Sequence, residues 1–479
     1  MLIRSHPRSL KSNAIRLAKV LKNWDPTAVE RLECVRRLPF PSRARRLFQE
    51  TVAFLEESAH WDRMSIIRWQ EERLGSLLAM AAKKVPYYRR LFADSGIRAD
   101  EVTLKTMRNI PFLTREIVEQ QFDRLVAEGT PNRQKEYFTT GGSTGVPLRF
   151  YVDFSRTNTL REAFFHRMWG WVGYKPWERG AILRGIPIDS DNPDAYFDYD
   201  VLSNKLLLSS YHIRPDWLHR LYTILVEFAP RSLQAYPSAA TPLAQHIVDE
   251  KLPPIPSLRL ILCGSENIYQ WQREIIEEAF HCRVFSWYGH SENVLLAGEC
   301  EKGHAYHAFS EHGVLELIRP DGSVIEGPGE VGEIVGTGFI NDIMPFIRYR
   351  TGDQASYAKG DCACGRPYPR LERIDGRLQE LIVTSDGRYI SMTAINMHTD
   401  IFNQVRQFQF EQSEKGRLIM HIVRKPSFSD ADKQKILQVL HTKMGKAMDI
   451  TIDFVEHIKP TQRGKHRFLL QHLPVKFSD

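Results

Sequence analysis

An α/β fold class is predicted, with a large N-terminal body of mixed sheets and helices and a small α+β C-terminal domain. Three observations predict it. Between residues 136 and 290, short apolar runs alternate with helical segments, the pattern of a sheet with parallel strands. From Gly313 to Tyr357 the chain is strand-rich with glycine turns, as in "PDGSVIEGPGEVGEIVGTGF". Beyond a boundary expected around residues 375–390, strands and one helix fill about 100 residues, an ordinary domain size.

The elements follow in order. The first 130 residues read mostly as helices. "SIIRWQEERLGSLLAMAAKKV" spaces its apolar residues as a helix does and stops before Pro86. "VTLKTMRNIPFLTREIVEQQFDRLVAEG" predicts two more helices around the break at Pro111. "EYFTT" and "LRFYVDF" predict strands flanking a Gly/Thr/Ser loop, and "TNTLREAFFHRMWGWVG" predicts a helix. "LQAYP", "LRLILCGS" and "CRVFSWYG" are strand-like, with helical segments between them. Near the C-terminus, "VRQFQFEQ", "RLIMHIVRK" and "DITIDFVEHI" read as strands and "SDADKQKILQVLHTKMG" as a helix.

Composition narrows the function classes. Of 479 residues, 42% are hydrophobic and 26% charged, which excludes a mainly disordered chain. No long apolar run is present and the mean hydropathy is −0.36, so no membrane span is expected. The basic start lacks the continuous apolar stretch of a secretory signal. Six cysteines make no disulfide scaffold and suit a reducing, cytoplasmic setting, where clustered thiols more often mean metal. Residues 1–50 hold 12 Lys and Arg against 4 Asp and Glu, whereas the rest holds 53 against 54. A neutral body argues against nucleic acid as the partner. The basic lead reads as a solvated helical extension, or as a weak contact with an anionic membrane surface or nucleic acid.

Four stretches have the residue types that chemistry needs. Thr139-Thr140-Gly141-Gly142-Ser143-Thr144-Gly145 supplies small residues for close backbone approach and hydroxyls that donate hydrogen bonds, which suits phosphate as well as a glycine-rich turn. It is not a Walker-type loop, since no Gly-Lys-Ser/Thr ends it. Trp287-Tyr288-Gly289-His290-Ser291-Glu292 follows a predicted strand, where ligands of α/β sheets gather; its carboxylate could hold Mg²⁺ and its aromatic could stack on a base. Asp353, in "YRTGD", could accept ribose hydroxyls, with "RIDGR" close behind. Lys465, beside Gly464, could neutralise a transferring phosphoryl charge.

Together these stretches resemble the adenylate-forming superfamily, more closely its phenylacetate–CoA ligase-like branch, which includes capsular polysaccharide biosynthesis-type relatives. The resemblance covers roughly residues 65–470, with "VPYYRRLF", "IPFLTRE", "TTGGSTGVP", "AYPSA", "LCGSE", "WYGHSE", "YRTGD", "RIDGR" and "RGK" in family order. It implies three segments: a basic helical extension over 1–64, an adenylation domain over 65–377 and a small mobile lid over 378–479. It implies that Thr139 to Gly145 wrap the ATP phosphates, and that Gly264, Ser265 and Glu266 line the adenine side. Tyr288, beside Gly289, would stack on adenine and Glu292 would hold Mg²⁺. Asp353 would bind the ribose, with Arg377 near ribose and phosphate. Lys465 would sit against the reacting carboxylate. The chain departs from the family at Gln379, where hinges commonly carry an acidic residue, and Arg115 stands where a family lysine is often seen.

A second pattern points to metal. Cys362 and Cys364 form C-x-C, and Cys300 with His307 would complete four ligands suited to tetrahedral Zn²⁺, with His304 as the rival histidine. Several members of the branch share such a set. Cys34, Cys263 and Cys282 read as ordinary thiols. Phe164, Phe165, Trp169, Trp171 and Tyr236 suit an apolar acyl pocket, but a helix core is the preferred reading.

The expected function is ATP-dependent activation of a small carboxylic acid to acyl-AMP, followed by transfer to a thiol, CoA foremost. An amine, hydroxyl or carrier-protein acceptor is the alternative; a non-catalytic ATP-binding scaffold is the alternative from another class.

Overall fold

The computed structural model describes residues 42–140, 148–186, 197–200, 203–210, 213, 215–266, 268, 270–375, 381–387, 389–391, 395, 404–445, 448–458 and 469–473. Helix α1 (Ser42–Ser58) lies against a later helix through Leu55, Phe54 and Phe48. Helix α2 (Arg63–Lys84) begins where the Asp62 side chain accepts the Ser65 N–H at 2.7 Å. It buries Ile66, Leu74, Leu77, Leu78 and Ala81, the stripe that the 3.6-residue period of a helix puts on one face. Pro86 ends it and starts α3 (Pro86–Asp94), since proline lacks only an N–H that a first turn leaves unbonded anyway.

The two helices expected around Pro111 form only in part. Before the proline, Thr103 and Thr106 bond each other's backbone, Thr103 N–H to Thr106 Oγ1 at 2.8 Å and the reverse at 3.2 Å, and a single 3₁₀ turn follows. Such local side-chain bonds compete with the helical ladder. After the proline, α4 (Arg115–Gln120) has six residues.

Strands β1 (Lys135–Thr140) and β2 (Leu148–Asp153) pair antiparallel, and α5 (Phe154–Gly170) follows, capped by Asp153. Next come β3 (Gly180–Arg184), β4 (Phe197–Asp200), β5 (Lys205–Ser209), α6 (Pro215–Phe228), β6 (Ser232–Ala235), α7 (Pro237–Asp249), β7 (Leu260–Gly264), α8 (Gln270–Phe280) and β8 (Val284–Gly289). Strands β5, β3, β6, β7 and β8 lie side by side and parallel, as the alternation predicts. Helices α6, α7 and α8 cover one face through a core that includes Leu225, Leu243, Leu233, Ile261 and Ile276. The all-buried runs of β5, β6 and β7 are what strands enclosed on both faces require.

The same sheet then continues antiparallel through β9 (Leu296–Cys300), β10 (Gly303–Ala308), β11 (Gly313–Ile318), β12 (Val324–Ile325), β13 (Val331–Gly338), β14 (Tyr349–Tyr357) and β15 (Arg370–Asp375). Beyond it, β16 (Leu381–Val383) and β17 (Tyr389–Ser391) pair with each other. Strands β18 (Val405–Glu414) and β19 (Arg417–Arg424), helix α9 (Asp430–Met444), β20 (Asp449–Phe454) and β21 (Leu469–Gln471) form a separate sheet-and-helix unit. It has its own core, including Phe410, Met420, Ile422, Ile436 and Leu440, and α9 opens on a capping box between Ser429 and Asp432. Among the described residues, no helix is long and apolar enough to cross a membrane.

One buried ion pair joins the N-terminal helices to the sheet. Arg348, at φ +51°, grips Glu316 of β11 with both nitrogens at 2.9 Å and donates to the carbonyls of Arg108 and Ile110 at 2.7 and 2.6 Å. Removing one partner of such a pair leaves a buried charge uncompensated, at a cost of about 3–5 kcal/mol. Glu316→Ala is therefore expected to lower the unfolding midpoint steeply, and Glu316→Ala/Arg348→Met to recover part of the loss in thermal or denaturant melts. Equal losses in the single and double variants would contradict this role.

Candidate functional site

Strand β8 is where the sheet changes sense, pairing parallel with β7 and antiparallel with β9. Ligands of open sheets gather beyond the carboxyl ends of strands at such reversals. Successive residues of β8 point to opposite faces, so Trp287 and Tyr288 serve different sides.

On one side, the Tyr288 hydroxyl donates to Asp353 Oδ2 of β14 at 2.9 Å. Burial, then the Asp353 charge, pushes the phenol well above its usual range, so it stays a neutral donor. Past β8 the chain turns sharply at Asn293, φ +56°, whose N–H donates to the His290 carbonyl at 3.1 Å. The turn brings Glu292 Oε2 to 3.3 Å from His290 Nδ1, and the Tyr349 hydroxyl donates to Glu292 Oε1 at 3.4 Å. Burial works to raise the Glu292 carboxyl, but the His290 ring and the Arg115 charge outweigh it and hold it at about 2. An enclosed, ionised carboxylate at a strand end has the donor chemistry that a hard cation such as Mg²⁺ requires.

Gly264 ends β7 directly beside Trp287. A Cβ there would lie 2.1 Å from Trp287 Cε2, so only glycine fits beneath the indole. Ser265 follows at φ +67°, an unusual conformation for a residue with a Cβ, and Glu266 is half-buried. The structure thus places Gly264, Ser265, Glu266, Tyr288, Gly289 and Glu292 at the carboxyl ends of two adjacent strands and brings Asp353 to them. The β1–β2 register runs from Lys135↔Asp153 to Thr140↔Leu148 and so brackets the Gly-rich loop. Gly141, Gly142, Ser143, Thr144 and Gly145 lie outside the described residues, as do the side chains of Thr139 and Thr140. Arg377, Gln379 and Lys465 also lie outside them.

On the other side, the α5 aromatics divide. Phe164 and Trp171 are buried in a core, Phe164 edge-on to Phe309 at 5.4 Å and Trp171 stacked on Phe309 at 4.7 Å. Phe165 instead meets Trp287 edge-on at 4.8 Å. Sequence reasoning passed over Arg184 here and gave no role to Tyr349, although it lies within the "YRTGD" stretch. A tyrosine beside "RTGD" and a lone arginine ending an apolar strand give no spacing signal; only the sheet register brings them to the site.

Cys300, His307, Cys362 and Cys364 converge, their donor atoms all within 4.8 Å of one another. The Cys300 and Cys362 sulfurs are 3.6 Å apart, and Cys364 Sγ lies 3.7 Å from His307 Nε2. Those separations are too long for a disulfide. They match a tetrahedral zinc shell, in which sulfurs about 2.3 Å from the metal stand about 3.8 Å apart. Burial, then Arg366 and Arg370, lowers His307 to about 4 and leaves a neutral imidazole, the form that ligates. His304 points elsewhere, 3.4 Å from Glu299.

Comparison with known proteins follows this geometry. Residues 382–472 match the CapK C-terminal domain family. Protein CapK of Staphylococcus aureus is 24% identical over 422 residues, spanning 84% of this chain and 89% of that one. The phenylacetate-coenzyme A ligase of Thermus thermophilus is 23% identical over 325 residues, 66% of this chain and 71% of that one. The fold also matches a 2-hydroxyisobutyryl-CoA ligase in complex with 2-HIB-AMP and CoA, with a TM-score of 0.59 at 18% identity, covering 87% of this chain and 91% of that one. In sequence the chain is thus similar to CapK and to phenylacetate-coenzyme A ligases, and in fold to an AMP-forming acyl-CoA ligase.

Proposed function

We propose that the chain joins a carboxylic acid to ATP as acyl-AMP and passes the acyl group to CoA. The observation that carries this reading is the meeting of Tyr288, Asp353 and Glu292 at the reversal of a sheet shared with a ligase that holds an acyl adenylate and CoA. In this reading residues 65–377 form the adenylation domain, 378–479 the lid and 1–64 a basic helical extension, whose described end is not solvated as expected: α1 packs on α5 through the buried Leu55.

Tyr288 stacks on adenine while its hydroxyl holds Asp353 ready to accept the ribose hydroxyls. Gly264, Ser265 and Glu266 line the adenine edge beside Gly289. Thr139 to Gly145 wrap the phosphates, with Thr144 among the hydroxyl donors, and Arg377 sits near ribose and phosphate. Glu292 is the Mg²⁺ ligand; the ion would offset phosphate charge. A carboxylate oxygen of the acid then attacks the α-phosphorus, the bond to the β-phosphate oxygen breaks, and pyrophosphate leaves. Lys465 neutralises the charge gathering there. Rotation of the lid lets the CoA sulfur attack the acyl carbon, breaking the bond to AMP.

A second reading keeps adenylation and changes the acceptor to an amine, a hydroxyl or a carrier-protein thiol. It is left open because the relatives whose names specify CoA cover 66% of this chain, against 84% for protein CapK, whose name specifies no acceptor.

Pyrophosphate exchange into ATP is expected with at least one acid from an aromatic, fatty, hydroxy and amino panel, and AMP release is expected to depend on CoA. Exchange without CoA dependence would favour the second reading; no exchange, with ATP bound, would defeat both. Lys465→Ala is expected to abolish exchange and to leave thioester formation from supplied acyl-AMP largely intact. Equal loss of both would contradict the two-state lid.

Cys300, His307, Cys362 and Cys364 hold a structural Zn²⁺ in this reading, since protein would supply all four ligands. Cys362→Ser/Cys364→Ser is expected to lower bound zinc and melting temperature together. Unchanged metal content would overturn the assignment.

A further inference from the structure

The row of residues that crosses the sheet at its carboxyl end holds several buried side-chain donors without a hydrogen-bond partner among the described residues. Arg184 pairs with Ser209, and the next register, Leu183 with Ala235 with Cys263, puts Arg184 in line with Tyr236 and Gly264. Gly264 pairs with Trp287, and Trp287 with Gly298. The row lies directly under α5, because a Cβ on Gly298 would strike Met168 Sδ at 2.4 Å and Phe165 abuts Trp287.

Within this row the Arg184 guanidinium lies 5.5 Å from the Tyr236 ring and 5.8 Å from the Trp287 ring. Its Nε and Nη2 are shut off from solvent with no hydrogen-bond partner among the described residues. The neighbouring Trp287 Nε1 and Ser209 Oγ share that condition. Glu266 acts on Arg184 through charge. A buried unpaired donor is destabilising, the more so when charged, so such a group is usually completed by something else. Guanidinium and indole N–H groups can only donate. Their missing partner is therefore an acceptor, and a carboxylate is the charged, planar, two-oxygen match for arginine.

Resting on the adenylation reading, we infer that the acid substrate carries a second, distal carboxylate, which Arg184 and the Trp287 N–H bind beneath α5, so that the substrate class is a short dicarboxylic acid. Its reacting carboxylate faces the Glu292 side and its other end fixes the chain length.

The test uses shape-matched acids, glutarate against hexanoate and terephthalate against 4-methylbenzoate, with the full chain, Arg184→Met and Arg184→Lys. In pyrophosphate exchange the unmodified chain is expected to favour each diacid at least tenfold in kcat/KM. Arg184→Met is expected to lose diacid activity by about 100-fold, chiefly through KM, and to gain on the monoacids, with Arg184→Lys intermediate. A monoacid preference in the unmodified chain would overturn the inference. So would an equal loss on both classes in a variant that melts normally, because Arg184 would then serve the reacting carboxylate. If no acid supports exchange, the adenylation reading is what has failed, and calorimetric titration of glutarate and terephthalate decides this inference separately. Saturable binding that Arg184→Met abolishes and Arg184→Lys partly keeps supports the anion site; no binding to the unmodified chain ends it.

Discussion

The bidentate pair between Arg348 and Glu316 is the constraint on which the site's geometry depends. Arg348 sits at the entry to β14 in a left-handed conformation that its contacts must sustain. It fixes the carbonyls of Arg108 and Ile110, and the backbone of Leu113 bonds Arg348 and Arg350, on either side of Tyr349. The N-terminal helices are thereby held to the sheet at the strand that carries Tyr349 and Asp353. Since Tyr349 reaches Glu292 and Asp353 reaches Tyr288, any shift of β14 along its axis would separate both contacts.

A second buried pair does the same for the parallel half. Arg273 of α8 bonds both oxygens of Glu299 in β9 and the carbonyl of Val284, while Glu299 accepts the N–H of Ser286. The two strands on either side of the sheet's reversal are thus tied to one helix. Both faces of β8 inherit that rigidity: Tyr288 is oriented toward β14 and Trp287 toward α5. In the proposed function, the nucleotide side and the acyl side are then separated by the alternation of a single strand, which would allow each to change with little effect on the other.

Much of this was legible in the sequence, and the reasons are physical. The apolar runs "LQAYP", "LRLILCGS" and "CRVFSWYG" became β6, β7 and β8 because strands buried on both faces admit few polar residues. Motifs flanking strand ends, such as "WYGHSE", were readable because strand ends are where side chains meet ligands. The cysteine and histidine spacing was informative because four soft donors seldom gather by chance, and the structure gathers His307, the histidine expected, while its rival His304 lies beside Glu299. What stayed hidden lay in local side-chain bonds and in long-range contacts. Before Pro111 the Thr103 and Thr106 bonds replaced the expected helix, and after it only α4 is helical, while Leu113 pairs with Arg348 and Arg350, more than 200 residues away. Arg184 carried no local signal, and its meaning arises from four strands lining up.

The glycine under Trp287 also has an evolutionary consequence. Position 264 can accept a side chain only if position 287 first becomes smaller, and a smaller residue at 287 would leave a hollow beneath α5 beside Arg184. Single substitutions at either position therefore pass through a poorly packed or clashing intermediate. If the acid lies there as inferred, its range would change by paired replacements, or by changes in α5, more readily than by gradual drift along the strand.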